Sequence, residues 1–150
     1  MTPVYYPDVL PPYTAELIPK TRPISRVRFC EETGRAYRLL LRDESLAIDY
    51  ISDYQKSILV VNDDGTVVMT QKGYPKKRPL TPYHVWALKR IMQRFKDTRS
   101  EVLVIYALKH YPEQFSFLTY LETLRNAQKN KQRRQQTRRR CRIVRAYRPA

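Results

Sequence analysis

The sequence predicts an α+β fold: a small antiparallel sheet of two hairpins packed by two or three helices, with a Pro/Tyr-rich N-terminal arm and a basic helical C-terminal extension. Three observations carry this prediction. Residues 24–41 alternate with period two on either side of Glu31-Glu32-Thr33-Gly34, as the strands of a hairpin do about their turn. Two β-branched runs flank Asn62-Asp63-Asp64-Gly65, which supplies the positive-φ residues of a second hairpin turn. From Arg125 to Ala150 the chain carries eleven of its 29 Lys and Arg residues and no Asp or Glu, so this stretch supplies +11 of the net +15. The expected organisation is an extended arm over 1–23, an α+β domain over 24–124 and a basic extension over 125–150.

At 150 residues and 42% hydrophobic, the chain is long enough for one domain with a real core. Three glycines exclude a glycine-rich phosphate cradle. Cys30 and Cys141 lie too far apart in sequence to make a disulfide framework or a metal-ligand pair, which points to a reducing, intracellular compartment. No apolar run reaches the roughly 18 residues of a membrane span, and MTPVYYPDVL lacks the basic start of a secretory signal. The first basic residue is Lys20, so no Arg-rich presequence is visible, and a mitochondrial matrix location stays open on other grounds.

The arm holds six of the eleven prolines, interleaved with Tyr5, Tyr6, Leu10, Tyr13, Leu17 and Ile18. Such density favours extended conformations, packed on the chain's own domain or on a neighbouring protein or RNA. After the first hairpin, Asp43–Gln55 reads as a short helix with Asp43 or Ser45 near its N-cap, although Leu46, Ile48 and Tyr50 also fit a strand. The second hairpin spans SILVVNDDGTVVMTQ, and Lys72–Pro79 is a basic loop. Thr81 as N-cap and Pro82 in the first turn open a helix whose apolar face is Val85, Leu88, Met92 and Phe95. Ser100–Tyr111 has helical spacing, with a buried fifth strand as the alternative, and ends before Pro112. From Pro112 a further helix carries apolar residues on one side, Phe115, Leu118, Leu121 and Leu124, and then loses them.

No metal, cofactor or catalytic site is expected. His84 and His110 sit on different elements and read as ordinary surface or packing residues, with an RNA contact next. The acidic pairs Glu31-Glu32, Asp49 with Asp53, and Asp63-Asp64 are explained by surface and turn chemistry. Cys141, among arginines, is set up for thiol reactivity as a by-product of its surroundings. What remains is basic residues interleaved with aromatics. Lys72, Tyr74, Lys76, Lys77 and Arg78 form one group; Lys89, Arg90 and Arg94 a second. The extension forms the third: Lys129, Lys131, Arg133, Arg134, Arg138, Arg139, Arg140, Arg142, Arg145 and Arg148. Cations displace counterions from phosphates, and Tyr and Arg planes stack on unpaired bases, so these are candidate nucleic-acid contacts.

In general design, a modest domain between a Pro/Tyr arm and an Arg-rich extension, the chain resembles ribosomal proteins, whose extensions thread between RNA helices. That resemblance implies a non-catalytic RNA-binding component of a ribonucleoprotein, ribosomal or mitochondrial ribosomal, with rRNA and neighbouring proteins as partners. No small-molecule substrate and no membrane contact are expected. The alternatives are a viral or phage nucleic-acid packaging protein and an accessory subunit of a membrane complex.

Overall fold

The computed structural model describes Pro19 and residues 21–146, which form six α-helices and no β-sheet. The helices are α1 (Arg26–Thr33), α2 (Tyr37–Tyr50), α3 (Ser52–Ile58), α4 (Pro82–Thr98), α5 (Glu101–His110) and α6 (Phe117–Ala146), with a 3-10 turn at Pro112–Phe115 before α6. The predicted α+β class with its two-hairpin sheet is therefore overturned. Most of the predicted arm lies outside the described residues. Near its end, Pro19, Thr21 and Arg22 border a cleft shared with Pro82, Val85 and Trp86 of α4.

The first predicted hairpin is two helices. Ser25 caps α1, its hydroxyl accepting the Arg28 N–H at 3.2 Å. Gly34 ends α1 in the left-handed region (φ 71°), its N–H donating to the Cys30 carbonyl at 2.8 Å. The glycine that looked like a turn between strands is a helix stop. The helix predicted over Asp43–Gln55 is the second half of α2 and the start of α3, with a break at Ile51. α2 begins instead at Tyr37 after Ala36, and its first half reads as a strand because its buried stripe is Leu40, Asp43, Glu44 and Ala47, continuing to Ile51. That is helical spacing, but two of the five positions carry carboxylates, so a search for apolar periodicity cuts the helix at Asp43.

The second predicted hairpin keeps its turn and loses its sheet. Chain reversal at Asn62–Gly65 is present, with Asn62 N–H to Thr66 carbonyl at 2.8 Å and Gly65 at φ 86°. A second reversal follows at Thr70–Tyr74, where Gly73 has φ 83°. Between them the chain closes a ring in place of a ladder. Val60 N–H donates to Lys76 (3.1 Å), Lys76 N–H to Val68 (2.8 Å) and Val68 N–H back to Val60 (2.9 Å). Each short segment bonds two different neighbours, so only isolated bridges form, at Leu59–Lys77, Val61–Val67 and Met69–Pro75. Val61, Val67 and Met69 consequently point outward, 51%, 37% and 54% exposed, where a sheet would have buried alternate residues.

The boundaries of α4 and α5 follow the sequence closely, but the buried face of α4 is Tyr83, His84, Ala87, Leu88 and Ile91, and of the predicted face Val85, Met92 and Phe95 are only half-buried. Thr81 is the N-cap of α4 and Pro82 lies in its first turn. Ser100 caps α5 through a bond from the Leu103 N–H (3.4 Å), and Tyr111 ends it, so the fifth-strand alternative is excluded. One core joins all six helices. α2 packs against α1, α3, α4 and α5, and α4 in turn carries α6. The core includes Phe29, Leu40, Tyr54, Ile58, Leu80, Tyr83, Leu88, Ile91, Leu108 and Phe115. No helix among the described residues is long and apolar enough to cross a membrane.

Inside this core sits a charged cluster that the sequence reading missed. Glu44, fully buried, accepts a two-pronged contact from Arg26 (Nε 2.8 Å, Nη2 2.9 Å), the Tyr54 hydroxyl (2.7 Å) and the Lys77 ammonium (3.1 Å). Burial alone would raise its pKa, but Arg26, Tyr54 and Lys77 outweigh it and hold the carboxyl below the usual range. The neighbouring Asp43 is pushed up by burial against the pull of Arg35 and Arg42. Arg42 also lies over the Phe95 ring at 4.0 Å, tying α2 to α4.

Candidate nucleic-acid interface

The extension begins as a packed helix. Asp53 on α3 accepts the Phe117 N–H at 2.9 Å, and Ser116 accepts the Thr119 N–H at 3.2 Å, so the first turn of α6 has partners for its free donors. Tyr83 on α4 holds the approach, its hydroxyl donating to the Phe115 carbonyl at 2.7 Å. Around it the rings of Phe117 (5.3 Å, edge-on), Tyr120 (5.7 Å) and Trp86 (6.1 Å) cluster, and Leu121 is buried beside them. These contacts fix the direction of α6. The helix starts at Phe117, after the 3-10 turn, so the predicted stripe is rearranged: Phe117, Tyr120 and Leu121 are buried, Leu124 is half-buried and Leu118 is 45% exposed.

After Leu124 every described side chain of α6 is exposed. At about 1.5 Å per residue, the exposed part from Asn126 onward extends for about 32 Å past the last buried contacts with the domain. All predicted contacts of the extension from Lys129 to Arg145 lie on it, and no acidic side chain follows Glu122. Arg148 lies outside the described residues. Cys141 is exposed on the same helix.

The other two predicted groups are placed differently. On the ring, Lys72, Tyr74 and Lys76 are exposed, Tyr74 at 68%. Lys77 turns inward to Glu44, and Arg78 is half-buried, its N–H donating to the Ile58 carbonyl at 2.8 Å. On α4, Lys89 is exposed, whereas the Arg90 guanidinium lies over Trp86 at 4.8 Å and Arg94 donates to the Gln114 side chain at 2.7 Å. Arg90 thus stands beside the root of α6, since Trp86 also meets Tyr120 at 5.4 Å.

One arrangement resembles catalytic machinery: Ser57 Oγ is 2.6 Å from His84 Nε2, both residues buried. The details assign it to the fold. His84 Nδ1 accepts the Thr81 N–H at 3.1 Å, so the ring carries its proton on Nε2 and donates it to Ser57, which donates onward to the Asp53 carbonyl at 2.8 Å. A base needs the opposite tautomer and access to substrate. His84 is instead the third helical residue of α4, closing a capping box with Thr81 in the role usually taken by Glu or Gln. A histidine three residues after Thr81 was the signal available in the sequence. Among the described residues no group of three or more His, Cys, Asp or Glu side chains could hold a metal ion.

Burial lowers the His84 pKa to about 3. The unfolded chain gains this proton near pH 6.5, so between pH 6.5 and about 3 the unfolded state binds more protons than the native one. The stabilisation from the neutral ring is complete above pH 6.5 and is lost as pH falls through that window, at up to about 1.4 kcal/mol per pH unit. Urea unfolding across this range is expected to show a shallower acid slope in His84→Gln than in the parent chain. Equal slopes would exclude this role for His84.

Compared with protein-family models, curated proteins and solved structures, this chain matches none of them. Its functional reading therefore rests on the geometry above.

Proposed function

We propose that this protein is a non-catalytic RNA-binding structural component of a ribonucleoprotein, with a ribosome, cytoplasmic or mitochondrial, as the assembly whose proteins its design resembles. The observation that carries the reading is α6: a helix bolted to the domain as far as Leu124 and lined beyond it with exposed Lys and Arg alone among charged residues. Like charges three and four residues apart on one helix, such as Arg134, Arg138 and Arg142, repel one another by a few tenths of a kcal/mol per pair. Phosphates alongside would remove that repulsion and release counterions. Exposed Lys72 and Lys76 on the ring and Lys89 on α4 add cations to the same molecule, and exposed Tyr74 adds a ring that can stack on a base.

The test is RNA affinity as a function of salt. If α6 engages about eight phosphates, log K falls against log salt with a slope of about −6 to −7. A slope near zero would remove the proposal. Co-sedimentation with ribosomal subunits after a high-salt wash separates a ribosomal protein from a packaging protein, and flotation with anionic liposomes tests the membrane-complex alternative.

A further inference from the structure

The exposed part of α6 is not uniformly basic around its axis. At about 100° per residue, Lys131, Arg134, Arg138, Arg142 and Arg145 fall on one stripe in steps of three and four. Lys129, Arg133 and Arg140 fall on a second stripe on the opposite side of the helix. Between the two, one face is uncharged and built of short side chains: Asn126, Asn130, Thr137, Cys141 and Val144. The other intervening face carries the longer Gln128, Gln132, Gln135 and Arg139. The short face points away from the side of α6 on which Phe117, Tyr120, Leu121 and Leu124 meet the domain.

A helix that lies on the outside of a nucleic acid, or beside a single strand, uses cations on one side only. Two opposed cationic stripes have a use when phosphates flank the helix on both sides, as the two backbones of a duplex flank a groove. The short, uncharged face between them permits a close approach to the groove floor, where Asn and Thr are chemically suited to base edges. The domain, on the far side, does not obstruct entry. A helix with its side chains is about 10–12 Å across, which matches the major groove of B-form DNA, about 12 Å wide, and not the deep, narrow major groove of regular A-form RNA, so an RNA target needs a groove locally widened to that measure.

We infer that α6 beyond Leu124 inserts into the major groove of a duplex and clamps both phosphate walls, and, resting on the RNA reading above, that its target is an RNA helix whose groove is opened by unpaired nucleotides. The test uses the full chain and four synthetic probes: a regular RNA duplex, the same duplex with a central bulge, one of its single strands, and a DNA duplex of the same sequence. The bulged RNA is expected to bind at least tenfold more tightly than the regular duplex or the single strand at equal salt. Two variants then separate the walls. One replaces Lys131, Arg134, Arg138, Arg142 and Arg145 by Gln, the other Lys129, Arg133 and Arg140, with circular dichroism confirming that helicity is retained. Each is expected to reduce the magnitude of the salt slope for bulged RNA by about two or more. Equal affinity for bulged and regular RNA, or one variant leaving the slope unchanged, overturns groove insertion while leaving RNA binding intact. Tighter binding to the DNA duplex than to bulged RNA, or no binding to any RNA probe, overturns the RNA reading itself.

Discussion

Replacing Glu44 by alanine is expected to destabilise the protein by about 3 kcal/mol, at the lower end of the range for breaking a buried ion pair because the cations left without their counter-charge are only partly buried. Glu44 is the meeting point of three parts of the chain: Arg26 from α1, Tyr54 from α3 and Lys77 from the end of the hydrogen-bonded ring. Its loss strands the Arg26 guanidinium, whose side chain is 15% exposed, and the Lys77 ammonium, and removes the acceptor of a buried hydroxyl. Against a total stability of about 5–15 kcal/mol for a domain, that is a large fraction. Glu44→Gln keeps an acceptor for Tyr54 and Arg26 but no charge, so it is expected to fall between the parent and the alanine variant. Urea denaturation of the three proteins at neutral pH measures the series. A loss below about 1 kcal/mol for Glu44→Ala would show that the cluster contributes little to stability.

Ending the chain after Arg125 is expected to separate binding from folding. Every buried residue of α6 lies at or before Leu121, and Leu124 completes the packing, so the shortened domain should melt within about 2 °C of the full chain. RNA affinity, by contrast, is expected to fall by about a thousandfold at 0.1 M salt, because most phosphate contacts go with the removed cations. Thermal melting and an RNA titration on the same preparations check both halves. Unchanged affinity would relocate binding to the ring and α4; a collapse in melting temperature would mean that residues beyond 125 support the core.

The parts of the fold legible in the sequence are those whose local chemistry and core pattern agree. Thr81-Pro82 opens α4 and Ser100 opens α5 because caps and Pro at a helix start act within one turn of chain. The reversal at Asn62–Gly65 is likewise local, set by the positive φ that Gly65 supplies. The errors arose where pattern depends on what is buried elsewhere. Residues 24–41 alternate weakly as strands do, yet Ser25 and Gly34 are helix punctuation, and only Phe29 of α1 is fully buried. α2 hides its periodicity because Asp43 and Glu44 sit on its core face, which is tolerable only with Arg26, Arg35, Arg42 and Lys77 brought to them. Val60 and Val68 look like strand centres, and nothing local says that Lys76 will join them in a ring.

For the candidate interface, the sequence by itself determined that the chain ends in a cationic segment that leaves its apolar stripe at Leu124, since charge and periodicity are properties of the residues in order. Only the tertiary structure decided which cations are available. It turned Lys77 in to a buried carboxylate and set Arg90 on Trp86, while anchoring α6 through Asp53, Tyr83 and Tyr120 so that its lysines and arginines from Lys129 to Arg145 are exposed. The reason is physical: a cation's partner is chosen by what folding brings within a few ångströms, and that distance is not written in the order of residues.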